Sequence, residues 1–370
     1  MTPVRHEAEY QLIFLSLFSR EKSMRQVKFG VVGAGVGASF ALRAMRLLEE
    51  KEGIVKAVAV CDVVEDLARK TAGEFGIKYF LNHRDLLVEE RVDAVFISTP
   101  HYLHFPMAID AIEADVNVLV DKPMAISVRE ADEMIRRARK AGVKLGVNLQ
   151  GRFDPSILKV KEAVDTGRLG RLFYGEATVK WFRTREYYDK SPWRGRWATE
   201  GGGALINQAI HTLDQLVWIM GSVEYLWAQC STVFHNIEVE DLAVATLRFK
   251  NGALGLVQAS TALYPGFPTG LELYGTNGTA IIEGEVIKLL DIKGEKPYSE
   301  KEAKGGLETW TRPEAAPPLN HAASIRDFAQ AILEDREPKV SGEEGRKSIE
   351  IISAIYQSSK NGQVVRLPLT

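Results

Sequence analysis

The sequence contains only two cysteines, Cys61 and Cys230, among its 370 residues. A disulfide framework or a metal site built from several thiolates is therefore excluded, and we expect the protein to work in a reducing cytoplasm. Neither charge sign dominates, because 47 Lys and Arg face 49 Asp and Glu, which gives a net charge of −2. Proteins that bind nucleic acid or anionic membranes need a concentrated positive field, so we expect neither partner.

Long hydrophobic runs are also missing. The apolar run at residues 12–18 is too short to cross a bilayer. It could be the core of an export signal, but no small-residue cleavage site follows it, and we interpret residues 1–24 as an N-terminal extension. Hydrophobic residues make up 45% of the chain, as in ordinary globular proteins. The length predicts about two to three domains.

From residue 27 onward, short runs rich in valine and isoleucine alternate with longer helical stretches. The predicted strands are 27–32, 55–61, 94–98, 117–121 and 144–148, and the predicted helices are 40–52, 65–75, 106–114 and 128–141. This alternation is typical of a parallel sheet covered by helices on both faces. Residues 25–148 are therefore predicted to form an α/β domain.

Extended segments dominate the second half of the chain. The predicted strands are 223–234, 239–249, 253–260, 270–274 and 279–282, and the predicted helices are 155–166, 204–220, 322–334 and 343–359. Asn251-Gly252 and Asn277-Gly278 stand between such strands, and Asn-Gly is a strong signal for a β-hairpin. The charged, proline-containing stretch 293–318 is predicted to be a surface loop. Residues 149–370 are thus predicted to form an α+β domain with a mostly antiparallel sheet.

A glycine-rich turn links the first strand to the first helix. Gly33, Gly35 and Ala38 have the spacing G-x-G-x-x-A. In this pattern the first glycine permits a tight turn, the second lets a pyrophosphate approach the main chain, and a small third residue lets the helix pack closely. The helix N-terminus then offers free N–H groups to the phosphates. The predicted cofactor contacts of this loop are Gly33, Ala34, Gly35, Val36 and Gly37.

An acidic residue, Asp62, ends the second strand 24 residues after Ala38. A carboxylate in this place accepts hydrogen bonds from the ribose hydroxyls and repels a 2′-phosphate. Val63 and Val64 follow it, so no adjacent arginine favours that phosphate. The sequence therefore predicts NAD as the cofactor and favours it over NADP.

Two further segments end predicted strands of the same sheet. Ser98-Thr99-Pro100 is expected to contact the cofactor, together with His104 in the following helix. His101 and His104 are three residues apart, but no carboxylate or cysteine nearby completes a metal site, and no metal is predicted. Lys122, in Asp121-Lys122-Pro123, can project into the crevice, where it is expected to contact the cofactor near the nicotinamide and to stabilise a developing alkoxide. The alternative is a solvated surface lysine.

A polar stripe follows the glycines 201–203. Read as a helix, the segment places Asn207, His211 and Asp214 on one face. Histidine is suited to general-base catalysis because its ordinary pKa, about 6.5, lies near neutral pH. Asn207 could orient a substrate or the imidazole. The alternative is a core histidine bonded to Asp214.

Together, these motifs resemble the glucose–fructose oxidoreductase / inositol dehydrogenase (Gfo/Idh/MocA) family, in their order and over nearly the whole chain from residue 27. The resemblance implies an N-terminal Rossmann domain and a C-terminal α+β domain whose open sheet builds a homodimer or homotetramer. It implies that Lys122 and His211 are the catalytic pair and that Gln150 and Arg152 line the crevice. Asp121 replaces the usual glutamate before the lysine. Asn207 replaces a frequent aspartate, which puts a proton relay through this position in doubt.

Aromatic residues and arginines crowd the segment 181–197. They are Trp181, Phe182, Arg183, Arg185, Tyr187, Tyr188, Trp193, Arg194, Arg196 and Trp197. Aromatic faces stack on sugar rings, and arginine binds carboxylate or phosphate, so Trp193 and Arg194 are the first candidates for substrate contact. The alternative is that the segment packs over the cofactor or at a subunit contact.

The function that these features favour is NAD-dependent hydride transfer to or from a hydroxyl of a sugar, sugar acid, nucleotide sugar or cyclitol. Two alternatives stay open within the resemblance. One is a non-catalytic NAD-binding regulator, and the other is a glycosidase that keeps NAD bound and regenerates it in each cycle.

Overall fold

Two β-sheets organise the residues that the structure, a computed structural model, describes: 25–300 and 318–369. The predicted extension at 1–24 lies outside these residues, as does the part of the predicted loop at 301–317.

The first sheet has six parallel strands in the order β3-β2-β1-β4-β5-β6. They are β1 (Val27–Val32), β2 (Val55–Cys61), β3 (Lys78–Phe80), β4 (Ala94–Ile97), β5 (Asn117–Asp121) and β6 (Leu145–Asn148). The predicted parallel sheet is confirmed, and β3 is a short strand that sequence reasoning missed. The strand order reverses between β1 and β4, and ligands of such sheets bind beyond the carboxyl ends of the strands at this point.

Helices connect these strands. They are α1 (Val36–Glu52), α2 (Glu65–Phe75), α3 (His83–Glu89), α4 (His101–Glu113) and α5 (Val128–Ala141). Local sequence explains the bounds of α5: the hydroxyl of Ser127 accepts a hydrogen bond from the amide of Glu130, and Gly142 ends the helix in a left-handed conformation. Its buried face consists of Ala131, Met134 and Ala138, which follow helical spacing.

Helical segments also begin the second domain. They are a 3₁₀ turn at Gln150–Phe153, α6 (Pro155–Asp165), α7 (Arg185–Asp189), α8 (Trp197–Glu200), a π-helical segment at Ala204–Ala209 and α9 (Ile210–Met220). The sequence predicted a single α-helix over 204–220. This prediction is wrong for the first six residues, which adopt the wider π-helical geometry. Short π-helical segments are frequent at functional sites.

The second sheet has eight strands in the order β13-β12-β11-β7-β10-β9-β8-β14. They are β7 (Leu172–Lys180), β8 (Val223–Ser231), β9 (Leu242–Phe249), β10 (Leu254–Ser260), β11 (Gly270–Gly275), β12 (Gly278–Glu283), β13 (Val286–Ile292) and β14 (Val365–Arg366). Both Asn-Gly hairpins are confirmed, between β9 and β10 and between β11 and β12. The sheet is antiparallel except where β10 pairs with β7, and β7, β13 and β14 were not anticipated.

Two C-terminal helices, α10 (Leu319–Leu333) and α11 (Gly342–Asn361), complete the described chain. Although α10 follows the second sheet in sequence, its buried residues Ile325 and Phe328 pack in the core beneath β1. The ring of Phe328 lies 6.4 Å from that of Phe29. The predicted domain boundary at residue 149 divides the chain in sequence order. The helix α10 lies after this boundary in sequence but packs against the first sheet.

None of the described helices combines the length and the apolarity that a membrane span requires. Within residues 25–300 and 318–369, no three His, Cys, Asp or Glu side chains come together as metal ligands would.

Candidate cofactor and active site

The glycine loop after β1 is pressed against the ends of β4 and β5. Gly33 has a φ of +100°, and a Cβ atom there would lie 2.2 Å from the carbonyl oxygen of Ser98. A Cβ atom on Gly37 would lie 2.3 Å from Oγ of Ser98 and 2.8 Å from Oδ2 of Asp121. A Cβ atom on Gly35 would meet nothing within 4 Å. The loop is thus closed on its inner side and open at Gly35, where a pyrophosphate would approach α1.

Asp62 follows β2 and lies beside this loop. Its Oδ2 accepts a 2.9 Å hydrogen bond from the amide of Ala34, and its Oδ1 accepts one of 2.9 Å from the amide of Val64. Each oxygen keeps a lone pair for a ribose hydroxyl. Val63 and Val64 are 83% and 54% exposed and carry no charge. The carboxylate of Asp62, followed by two uncharged side chains, fits NAD. The 2′-phosphate of NADP would instead face a carboxylate with no cation in the two residues that follow it.

Asp121 joins the ends of three strands. Its Oδ2 accepts a 3.0 Å hydrogen bond from Oγ of Ser98, and its Oδ1 accepts one of 3.2 Å from Nδ2 of Asn148 and one of 3.0 Å from the amide of Lys122. Oδ1 of Asn148 is buried without a partner among the described residues. Sequence reasoning gave neither Asp121 nor Asn148 a role of its own. The available signal was a polar residue at the end of each neighbouring buried strand.

His104 lies between two loops, with a main-chain carbonyl oxygen close to each ring nitrogen. Its Nδ1 lies 2.7 Å from the carbonyl oxygen of Pro123, and its Nε2 lies 2.9 Å from that of Thr99. The side chain is buried, and burial lowers its pKa. The contact of His104 with the cofactor stays a prediction, and it would use the carbon atoms of the ring because both ring nitrogens lie near main-chain carbonyl oxygens. Thr99 and Pro100 form the turn between β4 and α4, at the predicted edge of the sheet.

Lys122 reaches from the end of β5 to the π-helical segment of the second domain. Its Nζ donates a 2.6 Å hydrogen bond to the carbonyl oxygen of Asn207 and a longer one, 3.4 Å, to Oδ1 of the same residue. Burial lowers the pKa of Lys122, and the charges of Arg194 and Arg183 act in the same direction, whereas Asp121 raises it. An ammonium has three N–H donors, so one remains for a substrate oxygen.

His211 lies at the start of α9, one turn after Asn207. Its Nδ1 is buried and has no hydrogen-bond partner among the described residues. Burial lowers the pKa of His211 well below its ordinary value, and the nearby charges of Lys122 and His321 add to this effect. The imidazole is therefore neutral near pH 7 and can accept a proton.

The alternative of a core histidine bonded to Asp214 does not describe His211. Asp214 instead accepts two hydrogen bonds from Arg152, 2.7 Å from Nε and 2.8 Å from Nη2, and one of 2.8 Å from Oγ of Ser348. The π-helical geometry upstream also breaks the regular spacing on which the predicted polar stripe depended. Asn207 and His211 therefore stay candidate site residues, whereas the side chain of Asp214 is bonded within the core.

These contacts also bear on the prediction that Arg152 lines the crevice. Its side chain is 5% exposed, and its Nη1 donates a 2.8 Å bond to Glu344 besides the two to Asp214. A guanidinium held by two carboxylates does not line the crevice. Gln150, predicted with it, differs: its Oε1 is buried without a partner among the described residues. Gly151, between them, approaches the Cβ atom of His211, so the 3₁₀ turn borders the imidazole.

Glu200 is a buried residue of the site that sequence reasoning missed. Its Oε1 accepts a 2.6 Å hydrogen bond from Nδ2 of Asn207, and its Oε2 accepts one of 2.5 Å from the amide of Gly195. Burial raises the pKa of Glu200 to about 7. The amide nitrogen of Asn207 thus points at Glu200, which turns the amide oxygen toward Lys122. The sequence feature that could have identified Glu200 is its position directly before three consecutive glycines.

Trp193 and Arg194 lie next to the pair formed by Glu200 and Asn207. The Trp193 ring lies 4.6 Å from the ring of His101, whose Nδ1 is 2.8 Å from the carbonyl oxygen of Glu200. The guanidinium of Arg194 lies 4.2 Å from the ring centre of Tyr187 and 5.1 Å from that of Trp193. The segment predicted for substrate contact is therefore folded against the residues that hold Asn207.

The arrangement combines an ammonium with a free donor, a neutral imidazole with an unpartnered nitrogen and an open glycine loop with an acid beside it. The first two can stabilise negative charge on an oxygen and accept its proton. The third can hold a dinucleotide.

Comparison with known proteins agrees with this geometry. Residues 27–149 match the model of an oxidoreductase family with an NAD-binding Rossmann fold, and residues 157–281 match that of the GFO/IDH/MocA C-terminal domain. The chain belongs to the Gfo/Idh/MocA family. The predictions of the family, of the fold class and of an NAD-binding oxidoreductase are confirmed.

The names and titles of the relatives refer to different carbohydrates and cyclitols. One similar structure is the crystal structure of the WlbA dehydrogenase from Bordetella pertussis in complex with NADH and UDP-GlcNAcA. Its sequence is 30% identical to this chain, and the two structures match with a TM-score of 0.82 over 94% of this chain and 100% of that one. Myo-inositol 2-dehydrogenase of Thermotoga maritima is 25% identical over 92% of this chain and 98% of its own length. D-apiose dehydrogenase of Paraburkholderia graminis is 27% identical over 93% and 91%.

Proposed function

We propose that this member of the family is an NAD-dependent dehydrogenase of a sugar, sugar acid, nucleotide sugar or cyclitol. The observation that carries the proposal is the hydrogen bond from Nζ of Lys122, at the end of β5, to the carbonyl oxygen of Asn207, one turn before His211. It brings an amine from the NAD-binding domain and an imidazole from the second domain to one place. Relatives named for dehydrogenation of inositol and apiose support the reaction class.

The catalytic roles follow from the protonation states. His211, neutral because burial lowers its pKa, accepts the proton of the reacting hydroxyl. The third N–H of Lys122 donates to the same oxygen and stabilises the alkoxide as it develops. Bound NAD supplies the hydride acceptor. Asn207 fixes the Lys122 ammonium and is itself fixed by Glu200, so the ammonium is oriented before the substrate arrives.

The cofactor would be held by the open glycine loop. Main-chain N–H groups of 34–37 would receive the pyrophosphate, and Asp62 would accept from the ribose hydroxyls. Ser98, Thr99 and Pro100 would border the nicotinamide half from the end of β4. Gln150, with an unpartnered Oε1, would receive a substrate hydroxyl beside His211.

The exposed face of the second sheet supports a homodimer or homotetramer. Trp227, Val244 and Leu254 on β8, β9 and β10 are 41%, 39% and 53% exposed, and each alternates with buried neighbours along its strand. The three side chains share one face of the sheet, where Thr246, Gln229 and Arg248 stand opposite them, and exposed apolar side chains on one face occur at interaction surfaces. Light scattering after size exclusion tests this: Leu254→Lys and Trp227→Glu should lower the molar mass, and a monomeric parent would contradict it.

The two free cysteines, Cys61 and Cys230, favour a reducing cytoplasm.

A screen of nucleotide and substrate tests the function. The nucleotide that co-purifies is identified by mass spectrometry, and polyols, sugars, sugar acids and nucleotide sugars are then offered with NAD while NADH absorbance is followed. We expect NADH to accumulate in proportion to an oxidised product. Tight NAD binding without redox change over the whole panel would favour a regulator. Release of free sugar without net NADH would favour a glycosidase.

A further inference from the structure

Two arginines beside the proposed active site lack a carboxylate partner within the described chain. Among its residues, Nε of Arg183 and Nε of Arg194 are buried and have no hydrogen-bond partner. The acceptors that their other nitrogens reach are neutral: Nη2 of Arg183 donates to Gln208 at 3.3 Å, and Nη1 of Arg194 donates to Ser191 at 2.9 Å. Partly buried guanidinium groups are normally paired.

Arg152 shows how the same chain treats an arginine that serves the core. Two carboxylates, those of Asp214 and Glu344, hold its guanidinium in a fixed geometry. Arg183 and Arg194 have instead a positive neighbour in each other. Burial lowers the pKa of Arg183, and the charge of Arg194 adds to this effect. The charge of Arg183 is thus in an unfavourable environment until an anion enters.

Aromatic rings orient both guanidinium groups without neutralising them. Arg183 lies 4.8 Å from the ring centre of Trp181 and 5.3 Å from that of Tyr187. Arg194 lies 4.2 Å from the same Tyr187 ring. Cation–π contacts use the faces of the guanidinium planes and leave their N–H edges free for ligands. Both arginines therefore meet at one aromatic residue.

This pair of arginines borders the catalytic groups. Gln208, which accepts from Arg183, follows Asn207 in the chain and donates a 2.6 Å hydrogen bond to the hydroxyl of Tyr187. The charges of both arginines also act on Lys122. Glu200 is the buried acid nearby, but its two oxygens are already bonded to Gly195 and Asn207. The charge of Arg194 acts on Glu200, but among the described residues no hydrogen bond or ion pair joins Glu200 to either arginine.

We infer that the substrate carries an anionic group, a carboxylate or a phosphate, which Arg183 and Arg194 receive while Lys122 and His211 act on a hydroxyl of the same molecule. The inference rests on the proposed function and narrows its substrate class to acidic carbohydrates. Trp193, whose ring lies 4.6 Å from that of His101 in a tilted arrangement, offers an adjacent aromatic face on which a sugar ring can pack.

Matched pairs of probes test the inference on the full-length protein loaded with NADH. Glucose and glucuronate differ at one carbon, and glucose 1-phosphate and UDP-glucose carry the charge as phosphate instead. Calorimetry gives the affinity, and NADH absorbance with NAD gives kcat/KM. Preference for glucuronate points to a sugar carboxylate, and preference for the phosphorylated probes points to a nucleotide-linked sugar. Either anion should exceed glucose by about ten-fold or more at low salt, and the advantage should shrink as salt rises.

Substitution separates charge recognition from general damage. Arg183→Met and Arg194→Met should each lower the affinity for the preferred anion about ten- to a hundred-fold, as expected for loss of a charge-assisted hydrogen bond, and should lower the affinity for glucose much less. Arg183→Lys should restore part of the loss. The matched control is Arg185→Met, because the side chain of Arg185 is 82% exposed and pairs with Asp189.

The outcomes separate the two proposals. Oxidation of neutral sugars with no preference for any anion, or equal loss for charged and neutral probes in both variants, overturns the anion site and leaves the proposed function standing. Redox inactivity with every probe and polyol, in protein that binds NADH, overturns both.

Discussion

Nζ of Lys122 lies 2.6 Å from the carbonyl oxygen of Asn207, and this contact ties the two domains together at the place where chemistry is expected. The lysine follows a strand of the first sheet, and the asparagine lies in the π-helical segment that precedes α9. The wider turn of that segment lets its main chain take part in contacts outside the helix. The contact therefore holds the amine at the segment that leads into His211.

Asp62 is expected to determine the choice of cofactor. In Asp62→Ser the acceptors for the ribose hydroxyls weaken and the repulsion of a 2′-phosphate disappears. We expect kcat/KM with NAD to fall and kcat/KM with NADP to rise, each about ten-fold, since a hydrogen bond to a charged group contributes about 1.5–3 kcal/mol. Steady-state kinetics with both cofactors measures this. Asp66→Asn, on the exposed side of α2, is the control, and an unchanged NAD-to-NADP ratio in Asp62→Ser would contradict the assignment.

Arg152 is expected to act on stability rather than on substrate binding. Arg152→Met leaves the buried carboxylate of Asp214 without its bidentate partner, which should lower the free energy of unfolding by about 3–5 kcal/mol. Arg139→Met removes an exposed ion pair with Glu343 and should cost about 1 kcal/mol or less. Urea unfolding compares the two. Parental stability of Arg152→Met together with a raised KM would instead place Arg152 in the crevice.

Glu200 is expected to set the alkaline limb of the pH–rate profile through Lys122. Its pKa, about 7, leaves it ionised above neutral pH, and its negative charge raises the pKa of Lys122. Glu200→Gln removes that charge, so the ammonium should lose its proton at a lower pH. We expect the alkaline limb of kcat/KM to move down by a measurable fraction of a pH unit, while Glu238→Gln, at an exposed site, leaves it in place. An alkaline limb that does not move would refute the coupling.

Glu240 is expected to make folding stability depend on pH. It accepts hydrogen bonds from the amides of Gly203 and Leu205 and the hydroxyl of Tyr356, and burial raises its pKa to about 7. The ordinary carboxyl pKa in an unfolded chain is about 4.3. Between these values the folded protein keeps a proton that the unfolded chain has released, so the contribution to stability falls as pH rises from about 4.3 to 7.

Glu240→Gln should therefore flatten the change in stability between pH 5 and pH 8. The expected difference from the parent is about 3 kcal/mol at most over this window, because a buried carboxyl that stays protonated loses about 1.4 kcal/mol of stability for each pH unit between the two pKa values. Unfolding by urea at both pH values measures it. Parallel pH dependence in parent and variant would show that Glu240 is ionised throughout.

Local sequence patterns predicted those parts of the fold that local physics determines. The strand–turn–helix at Gly33, the acid at Asp62 and the Asn-Gly hairpins depend on neighbouring residues, and each is found where it was expected. The short edge strand β3 and the strand β7 lacked such signals. The strand β7 pairs with β10 and β11, which lie far away in sequence.

The site was only partly predictable for a related reason. Lys122 and His211 carry recognisable motifs, but the partners of Arg152 and His104 are distant in sequence or are main-chain atoms, which leave no pattern. The sequence did not indicate a role for Glu200, because that role depends on its burial and on the turn that brings it to Asn207. Side-chain type suggested which residues could act, and three-dimensional contacts decide which of them are free to do so.

The pairing of Lys122 with His211 is the central claim, and pre-steady-state NADH formation in Lys122→Met and His211→Ala tests it most directly. With the substrate found by the screen, the rate should fall about 10²- to 10⁴-fold in each variant, while NADH affinity, measured by fluorescence titration, stays at the parental value. Parental rates of NADH formation in both variants, with NAD bound normally, would contradict the account.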